Sequence, residues 1–261
     1  MADTLLNLFA DLDAGMATFV VVVFFLAGII KGVVGFGMPL FAITVLAFVM
    51  PLSAAIATNV GPSMVTNVVQ ALRGPYFLAL LKRLWPFLVP AIGLIWFGIG
   101  IQVQVDPAYP GLALGVLAIL FALVSFSKLK LTIPQHRERV VGFLIGIVNG
   151  IVTGITGIFI IPGGLFLQAL GLKRDELVQA RGLLFMLSTL TIGIVFTVRS
   201  LMTPGLVLLS LLAIVPGLLG MRIGEALRKR LSEEIFRVLF LSGIGIIGLS
   251  LVIRNGALLM G

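Results

Sequence analysis

The stretch from Gly28 to Pro39 reads Gly-Ile-Ile-Lys-Gly-Val-Val-Gly-Phe-Gly-Met-Pro, and it interrupts an apolar segment that covers residues 16–50. As one straight helix, that segment would be about 50 Å long. The hydrocarbon core of a bilayer is only about 30 Å thick. Because glycines and a proline cluster near the middle, the segment is predicted to form two half-helices that meet at a turn inside a membrane, as a helical hairpin.

The composition is that of a membrane protein. The chain is 60% hydrophobic and 11% charged, whereas about a quarter of the residues of a soluble domain are charged. We therefore predict an all-α polytopic membrane protein. The net charge of +8 is explained by basic residues in cytoplasmic loops rather than by nucleic acid, which we exclude as a partner. The acidic N-terminus lacks the basic region of a cleaved signal peptide, so the first apolar segment is expected to remain. Further apolar segments cover residues 52–72, 84–103, 111–126, 140–172, 177–198, 205–221 and 235–253.

Two halves of the chain resemble each other. Phe-Leu-Ala-Gly-Ile-Ile-Lys-Gly at residues 25–32 matches Phe-Leu-Ile-Gly-Ile-Val-Asn-Gly at residues 143–150, and glycines and Pro162 also break the segment 140–172. We predict a first repeat at 1–127, a basic cytoplasmic linker at 128–139 and a second repeat at 140–261. Each repeat would hold one hairpin and three spans, an odd number of crossings that inverts the second repeat relative to the first. The alternative is that these glycines merely allow close helix packing.

The charge pattern predicts the topology. Basic residues concentrate in residues 73–83, 128–139 and 222–237, whereas the N-terminus and the loop that contains Asp106 are acidic. If both long segments enter the membrane and return, all three basic regions are cytoplasmic and the N-terminus is outside, as the positive-inside rule prefers. The charged residues from Glu225 to Arg237 are expected to form a solvated cytoplasmic helix.

Acidic residues are absent from the predicted membrane segments. No Asp or Glu occurs in residues 14–105, 140–174 or 177–224, and the only histidine, His136, lies in the basic linker. Proton relays and cation pathways usually need such groups within the bilayer. The pattern therefore indicates an anion as the transported species.

Lys31 is the leading candidate for contact with an anion. A bare ammonium in lipid costs at least about 2.5 kcal/mol, so Lys31 is expected to face a wet cavity. Pro39 suits the first turn of the returning half-helix, whose N-terminal dipole would point to the same place. The alternative is that Lys31 reaches water at the membrane interface.

Polar residues at the same depth complete the predicted binding site. Asn59, Ser63 and Asn67 recur every four residues on one helical face, and Arg181 is a second candidate cation. The alternative for the two threonines is that they bond their own helix backbone, and the alternative for Arg181 is that it pairs with Asp175 or Glu176. No catalytic residue, metal site or cofactor is predicted. The predicted substrate-binding residues are Lys31, Gly35, Gly37, Asn59, Ser63, Asn67, Asn149, Thr153, Thr156 and Arg181.

The duplicated glycine pattern resembles that of a known family. Gly28, Gly32, Gly35, Gly37 and Pro39 in the first half, with Gly146, Gly150, Gly154, Gly157 and Pro162 in the second, are similar to the motifs of the TauE/SafE family of sulfite and organosulfonate exporters and related anion permeases. The resemblance implies transport of sulfite, a sulfonate or a similar small oxyanion through the bacterial inner membrane.

The sequence thus favours a secondary transporter that exports a small sulfur oxyanion bound at the membrane midplane. An anion-selective channel and a permease for another small anion remain as alternatives. An intramembrane enzyme or assembly factor is disfavoured by the lack of buried acidic, histidine and cysteine groups. The expected partners are a small anionic substrate and the lipid bilayer, and a homodimer is left open.

Overall fold

The structure is a computed structural model that describes residues 13–127, 132–228 and 233–260. The described residues are helical, and they contain no strand, which confirms the all-α prediction. A short 3-10 helix, Gln135–Arg137, precedes the second half. The helices are α1 (Ala14–Val34), α2 (Met38–Leu46), α3 (Leu52–Leu72), α4 (Phe77–Gly93), α5 (Ile95–Gln104), α6 (Ala108–Phe126), α7 (Glu138–Thr156), α8 (Gly163–Ala169), α9 (Arg174–Val198), α10 (Pro204–Leu212), α11 (Ile214–Leu227) and α12 (Glu233–Met260).

Seven helices of the described chain are long and apolar enough to cross a membrane, so the protein is a multi-pass membrane protein. Two of these spans join consecutive α-helices, α4 with α5 and α10 with α11, and a third joins the 3-10 helix to α7. Helix α3 is 21 residues long but is not among the seven, because its polar side chains lower its mean hydropathy. Most of those polar side chains are buried against other helices.

Both long apolar segments are interrupted. The first breaks between α1 and α2, where Gly35 has φ 86° and Gly37 has φ 98°. The second breaks between α7 and α8, where Gly157 ends α7 with φ 75°. A residue with a Cβ is strained at such angles. Glycine therefore ends the long helix at each break and allows the chain to change direction.

Glycines also let two pairs of helices pack with their backbones in contact. Gly28 and Gly32 of α1 lie against Met221 and Glu225 of α11, and a Cβ on Gly32 would lie 2.8 Å from the Glu225 nitrogen. The second pair follows the same plan, because Gly154 of α7 lies against Gly98 of α5. In each pair residue numbers rise together, so the two helices run in the same direction. The packing role that the sequence left open is thus real for these glycines.

The remaining long helices form antiparallel pairs. The Asn67 side chain of α3 bonds Thr189 of α9, while Gln179, nearer the start of α9, bonds the Ala71 carbonyl. Helices α6 and α12 pair in the same manner, since Gly111 lies beside Asn255 and Gly115 beside Gly248. Each of these pairs joins one helix from each half of the chain.

Two ion pairs bring the basic connections to one end of the helix bundle. Arg73 lies 3.9 Å from Glu225, and Arg83 lies 2.8 Å from Glu138. We call this the basic end. The α2–α3 connection with Met50, the α5–α6 connection with Asp106 and the part of α12 with Arg254 meet at the opposite end.

Several details of the predicted helices differ from the structure. Helix α4 begins at Phe77 rather than at residue 84, because Lys82 and Arg83 are tolerated in its exposed first turns. The second of the three spans in each half is interrupted by one residue, at Leu94 in the first half and at Ala213 in the second. Ala213 lies one turn before Pro216, whose missing N–H weakens the helix there. The solvated helix expected from Glu225 to Arg237 is instead the end of α11 and the start of α12, and residues 229–232 lie outside the described chain.

Candidate functional site

Lys31 lies in the last turn of α1 and is only 4% exposed. Its Nζ donates hydrogen bonds to Thr66 Oγ1 at 2.9 Å and to Asn67 Oδ1 at 2.5 Å. Both acceptors are neutral, and neither ion pair found in the described residues includes Lys31. An ammonium has three N–H groups. Two are used by α3, which leaves one for a further acceptor.

A cavity of about 190 Å³ leads from Lys31 to the basic end, and we call it the vestibule. Three cationic side chains, of Lys31, Arg73 and Arg228, line it against the single carboxylate of Glu225. This excess of positive charge favours anions. The described lining of the vestibule consists of Lys31, Gly32, Gly35, Thr66, Val69, Gln70, Arg73, Val178, Met221, Glu225 and Arg228.

The acceptors of Lys31 are held in place by the two halves of the chain. Thr66 Oγ1 donates to the Pro62 carbonyl at 2.8 Å, so its lone pairs face Lys31. The Asn67 amide nitrogen donates to Thr189 Oγ1 of α9 at 3.2 Å. This second bond turns the Asn67 oxygen toward Lys31. Lys31 and Asn67, which the sequence analysis singled out, are thus brought together.

The rest of the α3 stripe has a different position. Ser63 Oγ donates to Asn59 Oδ1 at 3.0 Å, and both residues are buried away from the vestibule lining. Beside them, the Gly61 N–H donates to Ser210 Oγ at 2.8 Å. Pro62 has no N–H and so removes one bond of the helix backbone. Ser210 of α10 therefore contacts α3 at the point where Pro62 weakens the backbone hydrogen bonding of α3.

Asn149, Thr153 and Thr156 hold the second break together. Asn149 Oδ1 accepts the Gly163 N–H at 2.9 Å, and Thr153 Oγ1 donates to the Ile158 carbonyl at 3.2 Å. Thr156 Oγ1 donates to the Val152 carbonyl and accepts the Ile158 N–H. All three side chains are buried. Their hydrogen-bonding groups are directed at the backbone of the break.

The two breaks meet at a second, much smaller cavity of about 10 Å³. Gly37, Pro39 and Leu40 from the first break line it together with Phe185 and residues 158–160 of the second. Gly35 lines the vestibule and Gly37 lines this cavity, so the N-terminus of α2 and Lys31 do not face the same space. Pro39 does occupy the first turn of α2, as predicted.

Arg181 lies beside the tip of the first break. Its guanidinium is 5.0 Å from the centre of the Phe36 ring, in a cation–π contact. The ion pairs of the described residues do not join it to Asp175 or Glu176. The Arg181 Nε is buried without a described hydrogen-bond partner. The same holds for Ser188 Oγ, two turns further along the same face of α9.

Sequence reasoning missed Thr66 and Gln70, which line the vestibule. The spacing of polar residues in the sequence would have identified both. Residues 59, 63, 66, 67 and 70 fall on one face of a helix, because they follow the spacing i, i+4, i+7, i+8 and i+11. Extending the stripe of Asn59, Ser63 and Asn67 by that rule would have included both.

These features define a class: a multi-pass helical membrane protein with two broken segments and a cationic cavity that reaches a buried lysine. The family model described as "Sulfite exporter TauE/SafE" matches residues 20–251, and the chain belongs to this family of membrane transporters. The resemblance seen in the glycine motifs is thereby confirmed. Neither a curated protein nor a solved structure matches the chain.

Proposed function

We propose that the protein exports a small sulfur oxyanion, sulfite or an organosulfonate, and that the anion binds at Lys31. One observation carries the proposal: a buried ammonium whose protein partners are the neutral Thr66 and Asn67 lies at the base of a positively charged cavity. The bound anion would take the third N–H and act as the counter-ion. Burial of an unpaired charge is costly, and the anion would offset that cost.

The vestibule would attract the anion before Lys31 binds it. Arg73 is largely exposed at the rim, and its pairing with Glu225 at 3.9 Å is loose. An exposed ion pair contributes little to stability, so the Arg73 guanidinium would be free to meet an incoming anion. Beyond Lys31, the small cavity between the breaks is too tight for an oxyanion. Onward movement would require the breaks to separate, which favours a carrier over a permanently open channel.

The predicted architecture supports such a carrier. Helices α1 and α3 both run parallel to α11, since Pro62 and Arg73 of α3 lie beside Gly217 and Glu225 of α11. The chain between α1 and α3 would then return through α2 as a re-entrant hairpin. Helices α3 and α9 occupy matching places in the two halves and run antiparallel, as do α6 and α12. That is the relation expected of inverted repeats. We include Arg181 as a contact further along the path, and the polar groups of the second break would become available to the anion only when the breaks separate.

We propose that the basic end is cytoplasmic and the N-terminus is outside, in the bacterial inner membrane. The vestibule would then open to the cytoplasm, where a substrate for export is found. A negative cytoplasm favours outward movement of an anion by about 2.3 kcal/mol per charge per 100 mV. Export would therefore need no carboxylate relay.

The test is sulfite efflux from proteoliposomes that contain the purified protein. Lys31→Ala should abolish efflux while leaving the protein folded, and Lys31→Arg should retain part of it. Lys82→Ala is the matched control, because Lys82 is an exposed lysine outside the vestibule. Wild-type efflux in the Lys31→Ala protein would remove Lys31 from the mechanism. Efflux that never saturates, and that related anions fail to inhibit, would indicate a channel instead.

A further inference from the structure

The charges of the vestibule differ along its depth. Of the charged side chains in its described lining, only that of Lys31 is buried. Arg73 and Glu225 lie at the mouth, where their side chains are 78% and 49% exposed and their charged atoms are 3.9 Å apart. Each of these two charges offsets part of the other. The vestibule therefore combines a partly balanced mouth with a single buried cation.

The backbone of Glu225 is fixed beside the binding site. A Cβ on Gly32, the residue after Lys31, would lie only 2.8 Å from the Glu225 nitrogen, so α11 and α1 are in backbone contact there. Among the described residues, Arg73 is the only cation that pairs with Glu225. The carboxylate thus repels any anion that enters the vestibule. This repulsion grows in proportion to the charge of the anion.

The charge that Lys31 offers is matched by one negative charge. Lys31 lies in the last turn of α1, and a helix C-terminus carries the equivalent of about half a negative charge. Its two described acceptors, Thr66 and Asn67, are neutral. A singly charged anion would neutralise the buried ammonium, whereas a doubly charged anion would leave negative charge uncompensated. Burial of an uncompensated charge is strongly unfavourable.

A doubly charged anion would need a second buried cation beside Lys31. Arg181 is the other cation of the predicted site, but it is not part of the described vestibule lining. Its guanidinium instead lies 5.0 Å from the centre of the Phe36 ring. The described vestibule thus supplies one buried positive charge.

We propose that the vestibule selects singly charged oxyanions over doubly charged ones, and that Glu225 is a specificity-determining residue. The favoured class contains hydrogensulfite and organic monosulfonates, and the disfavoured class contains sulfate and the sulfite dianion. This selection rests on the proposed function, because it takes Lys31 as the place where the anion binds. Sulfite in neutral solution includes the singly charged form, so the selection is compatible with sulfite export.

The test is the binding of two anions of fixed charge to the purified full-length protein in detergent. Binding is measured as thermal stabilisation at low ionic strength, where charges are least screened. Methanesulfonate carries one charge and sulfate carries two. Stabilisation that is lost in the Lys31→Ala protein reports on this site, and by that measure methanesulfonate should bind several-fold more tightly than sulfate. Equal or tighter binding of sulfate, or no binding of either anion, would overturn the selection.

Glu225→Gln separates the effect of charge from that of ligand shape. The two side chains have nearly the same size, and the pair with Arg73 is loose and exposed, so the protein should stay folded. If methanesulfonate binding tightens about threefold, sulfate binding should tighten about ninefold, because Coulomb energy scales with ligand charge. Asp175→Asn is the matched control, because Asp175 is an exposed carboxylate outside the described lining, and both affinities should stay unchanged. Equal gains for the two anions in Glu225→Gln would overturn the role of Glu225.

The binding test and the efflux test fail separately. If methanesulfonate is preferred and Glu225→Gln reduces the preference, but Lys31→Ala exports sulfite normally, the charge selection stands and the proposed function fails. If sulfite efflux depends on Lys31 but sulfate binds as tightly as methanesulfonate, the proposed function stands and the charge selection fails.

Discussion

The two breaks begin from nearly the same sequence, yet they differ in what their polar residues do. Lys31 and Asn149 hold the seventh position of the repeated octet. Lys31 lines a cavity of about 190 Å³ and bonds neighbouring side chains, whereas Asn149 is fully buried and bonds the backbone of its own break at Gly163. The first break is therefore open to a ligand, and the second is closed on itself.

This difference teaches that a duplicated motif need not duplicate a binding site. Both breaks use glycine to end the long helix. The charge needed to attract an anion is present in the first, and the side chains that stabilise an interrupted helix are concentrated in the second. Functional residues should accordingly be sought at the matching position, but their roles cannot be copied from one half to the other.

The comparison is tested most severely by Asn149→Lys, which gives the second break the residue of the first. An ammonium there would be enclosed, at a cost of at least about 2.5 kcal/mol, and the Gly163 N–H would lose its acceptor. We expect loss of folded protein in size-exclusion chromatography. The converse change, Lys31→Asn, is the control and should yield folded protein, since the vestibule can hydrate the amide. A stable Asn149→Lys protein would show that the second break can open.

A smaller effect is expected from Asn149→Ala. The Gly163 N–H would be left buried without an acceptor, which should lower the free energy of unfolding by about 1–3 kcal/mol. Thermal unfolding in detergent measures this change. Asn255→Ala is the control, because that side chain bonds only a carbonyl of its own helix, at Leu251, and should have a much smaller effect. Equal effects of the two changes would argue against a special role of Asn149.

The smallest effect is expected from Thr66→Val, which removes one acceptor of Lys31 and keeps the side-chain shape. The ammonium would lose part of its positioning, so the KM for sulfite efflux should rise a few-fold with little change in stability. Thr58→Val is the matched control, because Thr58 is a buried residue of the same helix that bonds its own backbone at Ala54. An unchanged KM would mean that Asn67 alone positions Lys31.

Local sequence signals predicted much of this comparison. The positions of both breaks followed from glycine and proline, and the contact between Lys31 and Asn67 joins two residues that were selected for their polarity in apolar segments. The interruptions at Leu94 and Ala213 were missed, because apolar composition is the same on both sides of each. The start of α4 was missed because Lys82 and Arg83 were interpreted as a loop.

Other features depend on tertiary packing and have no local signal. The stacking of Arg181 on Phe36 brings together residues from opposite halves of the chain. The direction of the Asn149 side chain depends on where Gly163 lies after the break. A polar residue in an apolar segment thus indicates that a partner exists, but it does not indicate whether that partner is a ligand or the protein backbone.

The glycine contacts between α1 and α11 have a consequence for motion. The carbonyls of Met221 and Ile29 lie directly against Gly32 and Gly224, so neither helix can slide along the other without a collision of backbones. Helices α1 and α11 would have to move as one rigid body during a transport cycle, and α7 with α4 and α5 as another. Lys31 would then keep its place on the first body.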